Sequence, residues 1–226
     1  MYAASSLTDA FTEIAHAFEK AHPGVTVELS FGGSQALRVQ IEHGAPADLF
    51  ATADPAQTDS LERKGLAAPA ASFAHNRLVV VTPAKGARVK SLSDLTLPGL
   101  KIVLAERTVP AGRYADEAIG LMESARDGDF ARRVLANVAS RETNVRAVLA
   151  KVVLGEADAG IVYRSDAAAA AGRVVALEIP EAGEILAEYR IAVTARAGRA
   201  PLALSFRDAV VGDAGRGVLR RHAFDR

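Results

Sequence analysis

The sequence predicts an α/β protein built on parallel sheets. Short apolar segments of strand character alternate with amphipathic helical segments along the whole chain, and the strand-to-helix junctions are made of small and polar residues. Half of the 226 residues are hydrophobic, enough to bury a real core. In such folds ligands sit beyond the carboxyl ends of the strands, so the junctions are where function is sought.

The elements follow in order. Tyr2-Ala3-Ala4 reads as the end of a strand; strands usually run about 5 to 6 residues, so a leader and the first residues of that strand are expected to be missing. Apolar residues at helical spacing predict a helix from Leu7 to Ala21, stopped by Pro23-Gly24. Val25 to Phe31 alternates as a strand, Gly32-Gly33 breaks it, and Ser34 opens a helix through Ile41. Ala47 to Ala53 reads as a buried strand before a helix from Pro55 to about Lys64, and Ala67 to Ser72 as a turn region. Leu78 to Thr82 and Leu100 to Leu104 are strands around a helical Leu92 to Leu95 segment. Helices follow from Val109-Pro110-Ala111-Gly112 to Met122, over Asp129 to Asn137 and over Val145 to Leu154. Ile161 to Tyr163, Val174 to Ile179 and Tyr189 to Thr194 read as strands, Ala167 to Ala171 as a short helix, and Leu202 to Arg221 as closing helices. No internal sequence repeat is evident.

Composition excludes several function classes. The 27 basic and 27 acidic residues cancel without a basic stripe, which argues against nucleic-acid or acidic-membrane binding. With no cysteine there is no disulfide, thiolate metal site or cysteine nucleophile. No apolar run reaches the ~18 to 20 residues of a membrane span, and no signal sequence opens the chain. His16, His22, His43, His75 and His222 show no metal-ligand spacing, and neither a Walker loop nor G-x-G-x-x-G occurs.

Four junctions, Ser5-Ser6, Gly33-Ser34, Pro110-Ala111-Gly112 and Thr143-Asn144-Val145, would present free backbone N–H groups. A helix start carries about half a positive charge, so four of them offer roughly two, the size of a small dianion. Each also has a plain structural reading. Ser6-Leu7-Thr8-Asp9 approximates a capping box, Ser34 and Asn144 read as N-caps, Pro110 as a first-turn proline, and Tyr163 as a core or rim tyrosine. A rival enzyme reading is that Gly32-Gly33-Ser34-Gln35-Ala36 approximates a nucleophile elbow, with Asp166 and His222 following in hydrolase order. Against it, the elbow comes too early in the chain and no HGGG motif appears.

Several segments together resemble the periplasmic molybdate-binding proteins that feed ABC transporters: AASSLTDAF at 3–11, IEHGAPADLFATAD at 41–54, NRLVVVTP at 76–83, VPAGRYADEA at 109–118, NVRAVLAKV at 144–152 and GIVYRSDA at 160–167. The resemblance covers essentially the whole chain. It implies a two-lobed type II periplasmic-binding-protein fold with crossing hinge strands, lobe 1 being 1–77 with 190–226 and lobe 2 being 78–189. It implies one tetrahedral oxyanion, molybdate or tungstate, held between the lobes by Ser6, Ser34, Ala53, Ala111, Val145 and Tyr163, with Ser5 a secondary candidate. Where the family commonly has a serine-rich run, this chain has Gly32-Gly33-Ser34-Gln35. The implied protein is a monomer, not an enzyme, has no cofactor and no side-chain metal ligands, works in the periplasm or attached outside the cell, and has a membrane permease as partner. Sulfate or another oxyanion is the alternative ligand.

Overall fold

The computed structural model describes residues 1–125, 128–198 and 200–225. Its strands are β1 (Tyr2–Ala4), β2 (Ser30–Gly32), β3 (Leu49–Thr52), β4 (Ala71–Asn76), β5 (Leu78–Pro83), β6 (Ile102–Ala105), β7 (Val138–Glu142), β8 (Ala159–Tyr163), β9 (Val174–Glu178) and β10 (Ala187–Val193). Its α-helices are α1 (Thr8–Ala21), α2 (Ser34–Glu42), α3 (Pro55–Arg63), α4 (Pro110–Ser124), α5 (Phe130–Ala136), α6 (Val145–Val153), α7 (Arg164–Ala169), α8 (Ala200–Val211) and α9 (Asp213–Arg221).

The chain divides into two compact units, Met1–Asn76 with Ala187–Arg226, and Arg77–Leu186. The return falls at Leu186/Ala187, ahead of the expected 189/190, because β10 already pairs with β4 from Ala187. The first unit holds a sheet of order β2-β1-β3-β10-β4, the second one of order β7-β6-β8-β5-β9. In the first, β1 runs parallel to β2 and β3, while β10 runs antiparallel to β3 and β4. In the second, β6 runs parallel to β7 and β8, while β5 runs antiparallel to β8 and β9. The sheets are therefore mixed and share one pattern, although the sequence shows no repeat. The parallel arrangement expected from alternation applies to the three strands at one side of each sheet, where helical crossovers link consecutive strands.

Amphipathic helices cover the sheets. α1 buries Ala10, Phe11, Ile14, Ala15 and Phe18 on one face. Phe11 meets Phe73 of β4 at 5.7 Å between centroids, and Phe18 meets Phe206 of α8 edge-on at 5.1 Å. In the second unit Val79, Val80 and Val81 of β5 are fully buried, as a strand covered on both faces requires.

Three sequence expectations need correction. The strand read over Val25 to Phe31 pairs only from Ser30, because the β1 residues available to it begin at Tyr2↔Ser30. Ala71 and Ser72, read as turn, belong to β4, whose sequence ASFAHN lacks the β-branched residues that mark strands and is held by pairing with β10. β7, reading VASRE with only partial burial, was not anticipated; it is an edge strand paired with β6 alone.

Candidate functional site

In the first unit the candidate residues follow the carboxyl ends of three adjacent parallel strands. β1 passes into a 3-10 turn, Ser5–Leu7, ahead of α1. That turn overturns the capping-box reading. The helix begins at Thr8, its N-cap is Leu7 without a side-chain cap bond, and the Thr8 hydroxyl donates back to the Ser5 carbonyl at 2.7 Å. Ser6 is buried, with its Oγ 2.8 Å from the hydroxyl of Tyr189 on β10. After β2, Gly33 is the N-cap of α2 and its carbonyl takes the N–H groups of Ala36 (3.0 Å) and Leu37 (3.1 Å). Ser34 is thus the first helical residue, not the cap, and its Oγ accepts the Ala53 N–H from beyond β3 at 3.3 Å. The cap role on that third strand belongs to Asp54, which accepts the Ala56 N–H at 3.1 Å and starts α3.

The second unit repeats the placement. Beyond β6, Pro110 is the first residue of α4, as the first-turn reading expected, and Ala111 is the second. A Cβ on Gly112 would lie 2.1 Å from the Glu106 carbonyl oxygen and 2.5 Å from that of Ala105, so only glycine lets the helix start rest against the strand end. Beyond β7, Asn144 is the N-cap of α6, its side chain accepting the Ala147 N–H at 3.0 Å, and Val145 is the first helical residue. Tyr163 closes β8, 1% exposed, with its N–H donating to Asp166 Oδ2 at 3.3 Å.

Helix starts at both sets of strand ends present backbone donors. N–H groups in the first helical turn have no acceptor within the helix, so the starts of α2, α4 and α6 present donors at Ser34, Ala111 and Val145. Two ion pairs lie on α6: Arg146 Nε is 2.7 Å from Asp166 Oδ1, and Lys151 Nζ is 2.6 Å from Glu142 Oε1. Burial pushes the Glu142 carboxyl up, but the Lys151 ammonium and the Ser140 hydroxyl bonded to it outweigh that and hold it below the usual carboxylate range. Among the described residues no cluster of three or more histidines and carboxylates could hold a metal ion.

The residues of the hydrolase reading are each engaged within their own unit. His222 places Nε2 2.9 Å from Glu13, Asp166 is engaged by Arg146 and by the Tyr163 N–H, and Ser34 Oγ takes the Ala53 N–H. Two features escaped sequence reading. Tyr189, the hydroxyl partner of Ser6, stands 183 residues away on a strand with no local motif. The Arg146–Asp166 pair joins α6 to α7, and no sequence spacing signals it.

Residues 1–225 match the family described as bacterial extracellular solute-binding protein. The chain belongs to that family. This solute-binding protein is 39% identical to the molybdate-binding protein ModA of Mycobacterium tuberculosis, over 99% of this chain and 83% of the relative. Among solved structures, it is similar to the periplasmic molybdate-binding protein of Azotobacter vinelandii, with TM-score 0.85, 20% identity, and coverage of 100% of this chain and 97% of the other. The sulfate-binding protein SubI of M. tuberculosis gives TM-score 0.85 and 20% identity, covering 99% of this chain and 84% of that one. The likenesses to solved structures establish the two-unit α/β fold. The solute-binding protein is not an enzyme. Among the described residues no helix is long and apolar enough to cross a membrane.

Proposed function

We propose that this solute-binding protein captures one tetrahedral dianion, molybdate and with it tungstate, and delivers it outside the cytoplasm to the permease of an ABC importer. In this reading it works as a monomer. Ser6 and Ser34 act from the first unit, and Ala111, Val145 and Tyr163 from the second. Ala53 acts through Ser34: by giving its N–H to Ser34 Oγ it leaves the Ser34 proton for the ligand. Ser5, buried in the same turn, supplies the carbonyl that takes the Thr8 hydroxyl and holds the turn that presents Ser6.

One observation carries the reading. The residues lie at or just beyond the carboxyl ends of three adjacent parallel strands in each unit and offer hydroxyl and N–H donors, and Arg146 and Lys151 of α6 each face a carboxylate. A set of donors suits a fully ionised oxyanion. A protonated phosphate would bring an O–H with no acceptor, at a cost of about 1 to 3 kcal/mol when buried. Sulfate meets the same charge condition and is the second reading, supported by the fold shared with SubI. Molybdate is favoured by the name of the 39% identical relative. Calorimetric titration with molybdate, tungstate, sulfate and hydrogen phosphate tests this. One-to-one binding of molybdate and tungstate is expected; no heat and no thermal shift with either refutes it, and binding of sulfate alone selects the second reading.

A further inference from the structure

Tyr189 is fully buried on β10, its hydroxyl oxygen 2.8 Å from Ser6 Oγ. Aromatic neighbours fix its ring: Phe224 stands edge-on at 5.2 Å and 90°, and Phe73 at 6.0 Å and 68°. Phe73 in turn packs on Phe11 of α1, the helix that continues directly from the turn holding Ser6. The phenol is therefore held in place against Ser6 by packing that does not involve Ser6 itself.

Each hydroxyl has one proton to give and lone pairs to accept with, so two arrangements satisfy the contact. Either Ser6 donates to Tyr189, or Tyr189 donates to Ser6. Only the second leaves the Ser6 proton for a ligand oxygen, and a chain of donors ending on an anion strengthens each link. We propose that Tyr189 is a positioning residue that commits Ser6 to the donor role, by giving its own proton to Ser6 Oγ and so turning the Ser6 proton toward a bound oxyanion. The inference rests on the oxyanion reading above. It assigns to Tyr189 part of the discrimination against protonated ligands: with the phenol donating, Ser6 presents a proton to the ligand, and a ligand O–H meets a donor.

Tyr189→Phe keeps the ring and removes only the hydroxyl. Molybdate affinity is expected to fall by roughly 2- to 10-fold, the effect of one hydrogen bond between neutral hydroxyls. The ratio of molybdate to hydrogen phosphate affinity is expected to fall as well, because Ser6 is then able to turn and accept. Ser6→Ala should cost less affinity in the Tyr189→Phe background than in the unsubstituted protein, a coupling that mere loss of packing would not produce. An additive cycle, or a molybdate affinity and selectivity ratio unchanged by Tyr189→Phe, overturns the inference. Absence of oxyanion binding by the unsubstituted protein would instead defeat the underlying reading. Should Tyr189→Phe fail to fold, the Tyr189 ring 13Cζ resonance of the unsubstituted protein decides: it is expected to move when molybdate is added, and no movement on saturation overturns the donor role.

Discussion

Val145→Pro isolates a backbone donor from everything else its residue does. Val145 is the first residue of α6, where proline is tolerated because that N–H has no partner within the helix. The preceding Asn144 sits at φ −160° and ψ 164°, an extended conformation compatible with a following proline. Its side chain caps Ala147, three residues further on, so the cap survives. The change should therefore alter stability by no more than about 1 kcal/mol. Binding should suffer much more, since losing a hydrogen bond to a charged acceptor costs about 1.5 to 3 kcal/mol, or roughly 10- to 150-fold in Kd. Val145→Ala is the counterpart: it leaves the N–H in place but removes methyl groups from a residue only 3% exposed, costing about 2 kcal/mol of stability with affinity retained. Titration with molybdate and urea denaturation of both variants give the comparison. If Val145→Pro binds molybdate as tightly as the unsubstituted protein, the N–H at this helix start is not a ligand donor and the reasoning fails.

Ser34→Ala should weaken molybdate binding by roughly 10- to 150-fold while costing about 1 kcal/mol of stability, since its 3.3 Å bond to the Ala53 N–H is a long one; titration and denaturation read the two effects separately. Gly112→Ala drives a Cβ onto two carbonyl oxygens and should destabilise by about 3 kcal/mol or more, whereas Gly120→Ala in the same helix meets nothing within 4 Å and should stabilise by up to about 1 kcal/mol, both read from the urea midpoint. Asp166→Ala leaves Arg146 without its carboxylate and should cost about 3 kcal/mol, with the Arg146→Ala, Asp166→Ala double variant losing less than the sum in a denaturation cycle. Because the Glu142 carboxyl is held below its ordinary value, the stability it contributes is complete above the unfolded value of about 4.3 and is lost as pH falls through the lower folded value. The difference in melting temperature between the unsubstituted protein and Glu142→Gln should therefore be constant above about pH 5 and shrink as pH falls below the unfolded value.

What sequence reading recovered follows from what each signal measures. Helical periodicity placed α1, α4 and α6 to within a few residues because each buries one face on a sheet, and that pattern is local. Val79 to Val81 announced β5 because a strand covered on both faces must be continuously apolar. β4 and β7 were not legible. One owes its place to its antiparallel partner and the other is a partly exposed edge, so neither needs a distinctive sequence. At the candidate site, small and polar residues marked the junctions, but which hydroxyl caps and which reaches elsewhere was set by tertiary contacts. Ser6 faces Tyr189 and Ser34 faces Ala53, while the capping falls to Asp54 and Asn144. The same Asx and Ser residue types serve both purposes, so local sequence cannot separate them.

The shared topology of the two units explains why so little of the candidate site is written in side chains. Each unit runs strand, helix, strand, helix, strand through its parallel edge, with one further helix in the second, and places a candidate residue at or after the end of each strand: Ser6, Ser34 and Ala53 in one, Ala111, Val145 and Tyr163 in the other. At Ala111 and Val145 the proposed donor is an N–H that any residue but proline supplies, so selection on the side chain is free to act through packing alone. The constraints that remain are steric and indirect: a glycine at 112 to seat the first turn of α4, and Gly160 inside β8, where a Cβ would stand 2.8 Å from Val148 of α6 and push that helix away. Residues that touch no ligand thus control where the donors stand. Two sheets whose three parallel strands share one order can provide corresponding sets of donors without any recognisable repeat in sequence, because what recurs is the path of the backbone at the strand ends.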